Sequence, residues 1–301
     1  MDCLFCFSES RIYSKLPVNR FNNKSFNFCS CNSCGLLFID PIPSEDDLAL
    51  MYPPSYQQGV SKQLDNLDFE QPGLRHSYGR IMPILKSRGT SAKVVDFGCG
   101  NGKFVWNAVN NNVNIEGVEF FEEQVNHLRK NIPETKFYTV KEFIESEEKY
   151  DIIFLSNVVE HFTNPKKELQ QLMVKLSDGG LLVAEGPLEM NRSFVNYCKW
   201  KYFKLRKFFS SSYHTAFAPV HIFYSNYQNQ LNLFESIGLS KVEYQTKENA
   251  WPYPAGLAEI KSPGAVVKYV IAMLSKMAGS FMSHYGNTFI YVGQKGENYG
   301  K

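Results

Sequence analysis

No apolar run in the 301 residues approaches the roughly twenty that a bilayer-spanning helix needs, so a soluble chain is expected. Charge of one sign is missing too. The 32 Lys and Arg against 30 Asp and Glu leave a net charge of +2, too little for a surface that tracks phosphates, which disfavours nucleic acid as a partner. Internal repeats and low-complexity tracts are absent, which excludes solenoids and arrays. The amino terminus lacks the marks of an export leader: Asp2 stands where a basic region is required, and no long apolar run follows. A cytoplasmic setting is therefore expected, with the inner membrane surface as a place of peripheral contact. What is present is 44% apolar and 15% aromatic content, enough for one α/β core plus a small stapled module.

The most informative stretch is Val94-Val95-Asp96-Phe97-Gly98-Cys99-Gly100-Asn101-Gly102, a buried strand ending in an acid and then a tight glycine turn. Glycines at 98, 100 and 102 allow positive φ and let backbone approach a ligand closely. Asp96 can accept a charge-assisted hydrogen bond from an ammonium group, while the following helix start directs N–H groups at a carboxylate. A methionine moiety carries both groups. The spacing differs from the G-x-G-x-x-G turn of dinucleotide sites, and S-adenosylmethionine is the leading ligand. A βα loop without a ligand is the alternative.

Asn114 to Glu119 reads as a second strand ending in an acid, separated from the first by a helix-like segment from Gly102 to Asn111. Glu119 is placed to accept from both ribose hydroxyls. Lys136 to Val140 is a third short strand, and Tyr150 to Ser156 is an apolar run of the kind buried in a parallel sheet. Asn157-Val158-Val159-Glu160-His161-Phe162 follows it directly. Ligands of open α/β sheets bind beyond the carboxyl ends of the strands, which places Asp96, Glu119, Ser156, Asn157 and His161 on one rim.

Val94 to Gly102, Glu119, Tyr150 to Pro165, and Leu176 to Val183 occur in the order that resembles the class I S-adenosylmethionine-dependent methyltransferases. The resemblance implies an α/β Rossmann-like sheet of seven strands with the last antiparallel. It implies a cofactor set of Asp96, Gly98, Cys99, Gly100, Gly102, Glu119, Ser156 and Asn157, with Gly98 and Gly100 at the amino-acid part and Glu119 at the ribose. Phe120, or the region of Val140 and Lys141, would meet the adenine. The chain departs from the family here, offering Thr139-Val140-Lys141-Glu142 where an acid often follows the third strand.

Seven cysteines supply the second feature. Cys3-x2-Cys6 and Cys31-x2-Cys34 have zinc-ribbon spacing, and four thiolates close a tetrahedral structural site for Zn2+ with no open position. Disulfides are the alternative, disfavoured in a reducing compartment. Cys29 competes with Cys31 as a ligand. Cys198 and the Cys99 thiol read as loop or packed groups. Together with Cys34-Gly35-Leu36-Leu37-Phe38-x-x-Pro41-x-Pro43, Tyr52 and Tyr56, the pairs resemble the short zinc module of methyltransferases from bacterial sugar and polysaccharide pathways.

The expected organisation is a ribbon over 1–50, a linker over 51–73 and a catalytic domain over 74–301, with cap insertions near 187–225 and 247–287. A helix from about Leu74 to Arg88 is predicted to cover the cleft, with Tyr52, Tyr56, His76 and Tyr78 lining a lid or packing in the core. Gly179-Gly180 is read as ending a helix before the fifth strand. Further predicted elements are a helix from Asn226 to Ile237 and strands from Ser240 to Thr246 and Thr288 to Gly293.

Lys199 to Phe209 alternates cations with aromatic and apolar residues, and Ala265 to Met282 is a second amphipathic segment. The first suits an anionic membrane surface, stacking on sugars or bases, or packing on the domain.

Methyl transfer from a sulfonium is an in-line displacement, and a hydroxyl acceptor also needs a base. His161 and His221 are the two candidates for it, with structural bracing as the alternative; His214 and Tyr213 are weaker choices, and Glu160 could orient a histidine or start a helix. The favoured substrate is a sugar or a saccharide-containing small molecule or carrier. An RNA methyltransferase gripping its substrate through the ribbon, and a non-catalytic scaffold, are the other readings.

Overall fold

A computed structural model of the protein describes residues 1–51, 78–216, 221–250, 253–254 and 256–296. The predicted linker beyond Met51, Tyr52, Tyr56, His76, the predicted helix start at Leu74 and the side chain of Tyr78 lie outside the described residues.

The chain begins with four short strands, β1 (Ser10–Ile12), β2 (Val18–Phe21), β3 (Lys24–Cys31) and β4 (Leu37–Asp40), which pair antiparallel through β3, and then a short helix, α1 (Glu45–Met51). Helix α2 (Tyr78–Lys86) leads into β5 (Val94–Phe97). From there strand and helix alternate: α3 (Lys103–Asn110), β6 (Ile115–Glu119), α4 (Glu122–Asn131), β7 (Phe137–Thr139), α5 (Val140–Glu145) and β8 (Tyr150–Ser156). Helix α6 (Pro165–Lys175) and β9 (Leu176–Pro187) complete the parallel part. The cap follows, with α7 (Phe194–Phe209), β10 (His214–Thr215) and β11 (Phe223–Tyr224). The chain then runs through α8 (Tyr227–Ser236), β12 (Leu239–Lys247), α9 (Pro263–Gly279) and β13 (Thr288–Lys295).

The larger sheet has the order β12-β13-β9-β8-β5-β6-β7, and β13 runs against all the others, as expected for the fold class. Strand β8 lies between β5 and β9, which is why Ile152 to Leu155 are apolar without alternation: both faces are buried. Alternate residues feed two cores. Val94, Ile152, Phe154 and Val183 pack on one face with Ile81 and Leu85 of α2, while Val95, Ile153, Leu155 and Leu182 pack on the other.

That second core is continuous with Phe26, Phe38 and Ile39 of the amino-terminal strands. The predicted ribbon is thus not an appended bead. Its sheet is completed by the cap, because β10 pairs parallel with β2 on one edge and β11 antiparallel with β4 on the other. Such pairings are set by tertiary contact and leave no local signature.

Three expectations are corrected. The described part of helix α2 does not border the cleft, because its apolar residues Ile81, Met82 and Leu85 are drawn into the core on the opposite face of the sheet. The helix before the fifth strand ends at Lys175, short of Gly179, whose φ of +71° bends the chain inside β9. Val140 is not in a strand: Thr139 accepts from the Glu142 N–H and Glu142 reciprocates, a capping box that starts α5.

Candidate active site

The loops at the carboxyl ends of β5, β6 and β8 enclose a cavity of about 810 Å3, a size suited to a nucleoside-sized ligand. Gly98 adopts φ +78°, and a Cβ there would come within 2.5 Å of Val158 Cγ2. Gly100 has φ +58° with open space where a Cβ would stand, so its backbone is bare toward the cavity. Gly102 serves packing, since a Cβ would meet Leu128 Cδ2 at 2.4 Å.

Glu119, at the end of β6, is fixed by its own turn. Its carboxylate accepts from Gly100 N at 2.7 Å and from Phe120 N at 2.8 Å. Such charge-assisted bonds hold the group at the cavity wall without rotamer freedom. Gln124 Nε2 donates to Gly100 O at 3.4 Å, and Gln124 Oε1 is buried with no partner among the described residues. An acceptor left in that state favours a ligand that brings a donor.

The predicted residues divide. Gly98, Gly100, Glu119, Phe120, Ser156, Asn157 and His161 all border the cavity. Asp96 is fully buried at the end of β5. The Cys99 side chain is buried in the core, close to where a Cβ on Gly117 would stand. Val140 packs against the core and does not border the cavity, because the Thr139–Glu142 segment is committed to capping. Ser156 Oγ donates to Glu185 Oε1 at 2.5 Å, so its hydroxyl is engaged within the protein. Asn157 takes φ +53° and its N–H donates to Glu185 O at 2.9 Å.

The other wall comes from an unforeseen source. Glu45, Leu48 and Ala49 of α1 border the same cavity, so the amino-terminal module closes the cleft.

His161, on this rim, meets His221, 60 residues away in sequence, which stands behind it and does not itself border the cavity. Their rings stand edge to face with centroids 5.1 Å apart. Ligand atoms of Glu160, His161 and His221 all lie within 4.8 Å of one another. The placement of His221 follows from the backbone: Ile222 N donates to Glu160 O at 2.9 Å, and Ile39 N donates to Ile222 O at 3.0 Å. Strand β4, the cap and the turn after β8 are thereby tied in one line. His214 and Tyr213 are remote from this point; His214 is exposed, with Nδ1 beside Ser212 O at 3.3 Å.

Sequence reasoning missed Glu189. It is buried, contacts His221 Nδ1 through Oε2 at 2.8 Å and pairs with Lys199 through Oε1. Burial alone would raise its carboxyl, yet Lys199 and His221 hold it down at about 2. Burial likewise opposes charge on His221, and Glu189 outweighs it to raise the imidazole above its usual value. The signal available in sequence was an acid, Glu189, at the entry to the cap, with nothing to say that it faces a histidine 32 residues on.

In the amino-terminal sheet, Cys3, Cys6, Cys31 and Cys34 are the thiols whose Sγ atoms all lie within 4.8 Å of one another. Cys3 and Cys34 are 3.6 Å apart, Cys6 and Cys31 3.5 Å. Backbone N–H groups of Phe5, Ser33 and Cys34 point at Cys3 or Cys31 sulfur at 3.3–3.4 Å, the second-sphere donors that metal-bound thiolates accept. Hydrogen bonding from Cys34 outweighs burial and lowers the Cys3 thiol below its ordinary value. Cys29 is outside the cluster; burial and then the Asp40 charge push its thiol up to about 11.

The sequence matches the family described as a methyltransferase domain over residues 71–242. Comparison with curated proteins gives no match. Among solved structures, the [4+2]-cyclase SpnF is similar at 12% identity and a TM-score of 0.51, over 84% of this chain and 97% of that one. A chain from the complex between the Haloferax volcanii Trm112 methyltransferase activator and a methyltransferase is similar at 15% identity and a TM-score of 0.50, over 79% and 97%. Identities this low speak for the fold alone. With more than half of its length matched to that family, this chain belongs to the methyltransferase-domain proteins.

Proposed function

We propose that the protein is an S-adenosylmethionine-dependent methyltransferase acting on an oxygen of a saccharide or saccharide-bearing carrier. The residues fit that donor. Gly98 and Gly100 offer bare backbone, Asp96 is an acid at the strand end, Glu119 is a fixed carboxylate beside them, and Gln124 Oε1 is an acceptor in need of a donor. When bound there, the donor supplies an electrophilic methyl group.

One observation carries the choice of an oxygen acceptor: the pair formed by His161 on the cavity wall and His221 behind it, backed by Glu189 at 2.8 Å. Glu189 engages Nδ1 of His221 and so leaves Nε2 to take a proton. A carboxylate behind an imidazole also makes it a stronger base, which a poorly acidic sugar hydroxyl requires. His161 lines the cavity and can hold the acceptor against His221. Lys199 keeps Glu189 charged in its buried position.

The four clustered thiolates are proposed to hold a structural Zn2+, whose role is to fix the sheet that carries α1 and braces Ile222. Incubation of purified protein with methyl-labelled donor and host fractions of carbohydrate, lipid and RNA tests the function. Label in carbohydrate or glycolipid is expected. Label in RNA would replace the acceptor proposed here, and calorimetry showing no heat with the donor or its demethylated product would remove the enzyme reading.

A further inference from the structure

Helices α7 and α9 pack side by side. Phe194 N, at the start of α7, donates to Ser275 Oγ of α9 at 2.9 Å and to Tyr285 OH at 2.7 Å. Glu248 Oε1 accepts from Ser193 Oγ at 2.8 Å and from Ser275 Oγ at 2.9 Å, which fastens the two helices from beneath.

Their outer faces are apolar and uncovered among the described residues. Only Val195 and Asn196 of α7, and Ala272 and Ser275 of α9, are buried. On α7, Tyr202, Leu205 and Phe209 recur at helical spacing; on α9, Val266, Val270, Leu274 and Met277 do the same. Phe208 is 80% exposed, Phe209 81% and Phe281, just beyond α9, 86%. A monomer in water has no reason to present three such phenylalanines.

Charge decides what covers this face. Neither helix contains an acidic residue, while α7 carries Lys199, Lys201, Lys204, Arg206 and Lys207 and α9 carries Lys268 and Lys276. Of these, Lys199 is paired with Glu189. Cations lie against aromatic rings, as Arg206 does over Tyr213 at 4.7 Å and Lys201 over Tyr197 at 5.5 Å. An apolar stripe flanked by lysines whose stems lie along the surface suits the boundary between headgroups and acyl chains. A second copy of this face would bring like charges together. No helix of the described residues is long and apolar enough to cross a membrane, so the contact is interfacial.

A groove lies beside the platform: a cavity of about 520 Å3 is bordered by Tyr197, Trp200, Lys201 and Met282 and by the buried Glu189. Trp200 Nε1 donates to Glu189 O at 2.7 Å, and the carboxylate of the same residue holds His221.

We propose that helices Phe194–Phe209 and Pro263–Gly279 form a docking platform for an anionic lipid surface, with the Trp200 groove leading from that surface to the histidine pair. Docking stands on the two helices alone; that the acceptor is a lipid-anchored saccharide rests on the methyl-transfer reading above.

The test is flotation of the full chain with vesicles of phosphatidylcholine, with and without about one third phosphatidylglycerol, at low and high salt. Binding is expected to the anionic vesicles, to weaken with salt, and to fall about tenfold in the triple variant F208S/F209S/F281S. The variant R206E/K207E/K268E is expected to lose the preference for anionic lipid. Thermal unfolding and donor calorimetry should match the parent in both, which separates loss of docking from loss of fold. Failure to float with anionic vesicles, or equal flotation of the phenylalanine variant, overturns the proposal. So does a dimer that dissociates in that variant, or single-stranded RNA binding that the charge variant abolishes while flotation is unchanged. Donor heat without flotation would sink docking and leave methyl transfer standing; flotation without donor heat would do the reverse.

Discussion

The two sheets of this protein are built on opposite principles. In the seven-stranded sheet, β5 pairs with β6, β6 with β7 and β8 with β9, each across one short crossover, and longer returns join β8 to β5 and β13 to β9. In the six-stranded sheet, Asn19 of β2 pairs with Thr215 of β10, 196 residues later, and β4 pairs with β11 across most of the catalytic domain. The first sheet makes the donor cavity from local turns. The second positions the histidines proposed to act on the acceptor, since backbone bonds at Ile39 and Ile222 tie the strand beside His221 to the turn that carries His161. The glycine turn and Glu119 at the proposed donor site thus come from one crossover, with α1 and the turn after β8 adding walls, whereas the proposed base is assembled from three distant segments.

That contrast can be broken most sharply at Gly98. Gly98→Ala places a Cβ 2.5 Å from Val158 Cγ2 at φ +78°, and donor affinity measured by calorimetry should fall by about 100-fold. The six-stranded sheet should be untouched, with the same metal content.

Next in size is the acceptor side. Glu189→Gln should lower kcat by about 10–100-fold while leaving donor affinity unchanged. The pH profile gives the sign. His221 must shed its Nε2 proton to act as a base, and Glu189 raises the pH at which it does so, so the rising limb of kcat in the parent lies above the ordinary histidine value of 6.5. Without that carboxylate the limb moves to lower pH. The stability of the pair is fully present between the ordinary carboxyl value of 4.5 and 6.5 and its histidine part is lost as pH rises through the raised value, so the variant's stability gap to the parent should narrow in alkali to what Lys199 still contributes. A limb that stays in place would remove Glu189 from the mechanism.

Cys34→Ser sharpens the link between the sheets. Loss of one thiolate should lower Tm by about 5–10 °C and reduce kcat about tenfold through the Ile39–Ile222 brace, with donor affinity within about threefold. If donor affinity drops as far as kcat, the wall made by Glu45, Leu48 and Ala49 outweighs the brace.

The smallest effect is expected under the platform. Burial raises the Glu248 carboxyl to about 7 against the pull of Ser193, Ser275 and Lys276. The folded state prefers the protonated form, so stability is greatest below the ordinary value of 4.5 and declines as pH climbs through about 7. Glu248→Gln should flatten that decline, gaining about 1 kcal/mol at pH 8 in chemical unfolding.

The fold was legible where pattern is local. Val94 to Gly102 announces a strand and a tight turn, Tyr150 to Ser156 a doubly buried strand, and Asn226 to Ile237 a helix, and each is found with shifts of a residue or so. Reading failed where one residue had two local uses. Thr139 to Glu142 could follow a strand or cap a helix, and reciprocal bonds between Thr139 and Glu142 decided for the cap. Helix α2 was recognisable, but its period does not say which face of the sheet its stripe meets. The similarity to a [4+2]-cyclase shows further that such a sheet is compatible with other chemistry, so function has to be argued from the rim residues.

By itself the sequence determined the glycine cradle and the four clustered thiols, because strand, turn and C-x2-C geometry are consequences of neighbours a few bonds apart. Only tertiary structure decided that Glu189 stands behind His221, that α1 walls the cavity, and that the cap closes the amino-terminal sheet. Those contacts form between segments whose separation along the chain carries no periodic trace. Their selection comes from burying one shared core and satisfying its polar groups together.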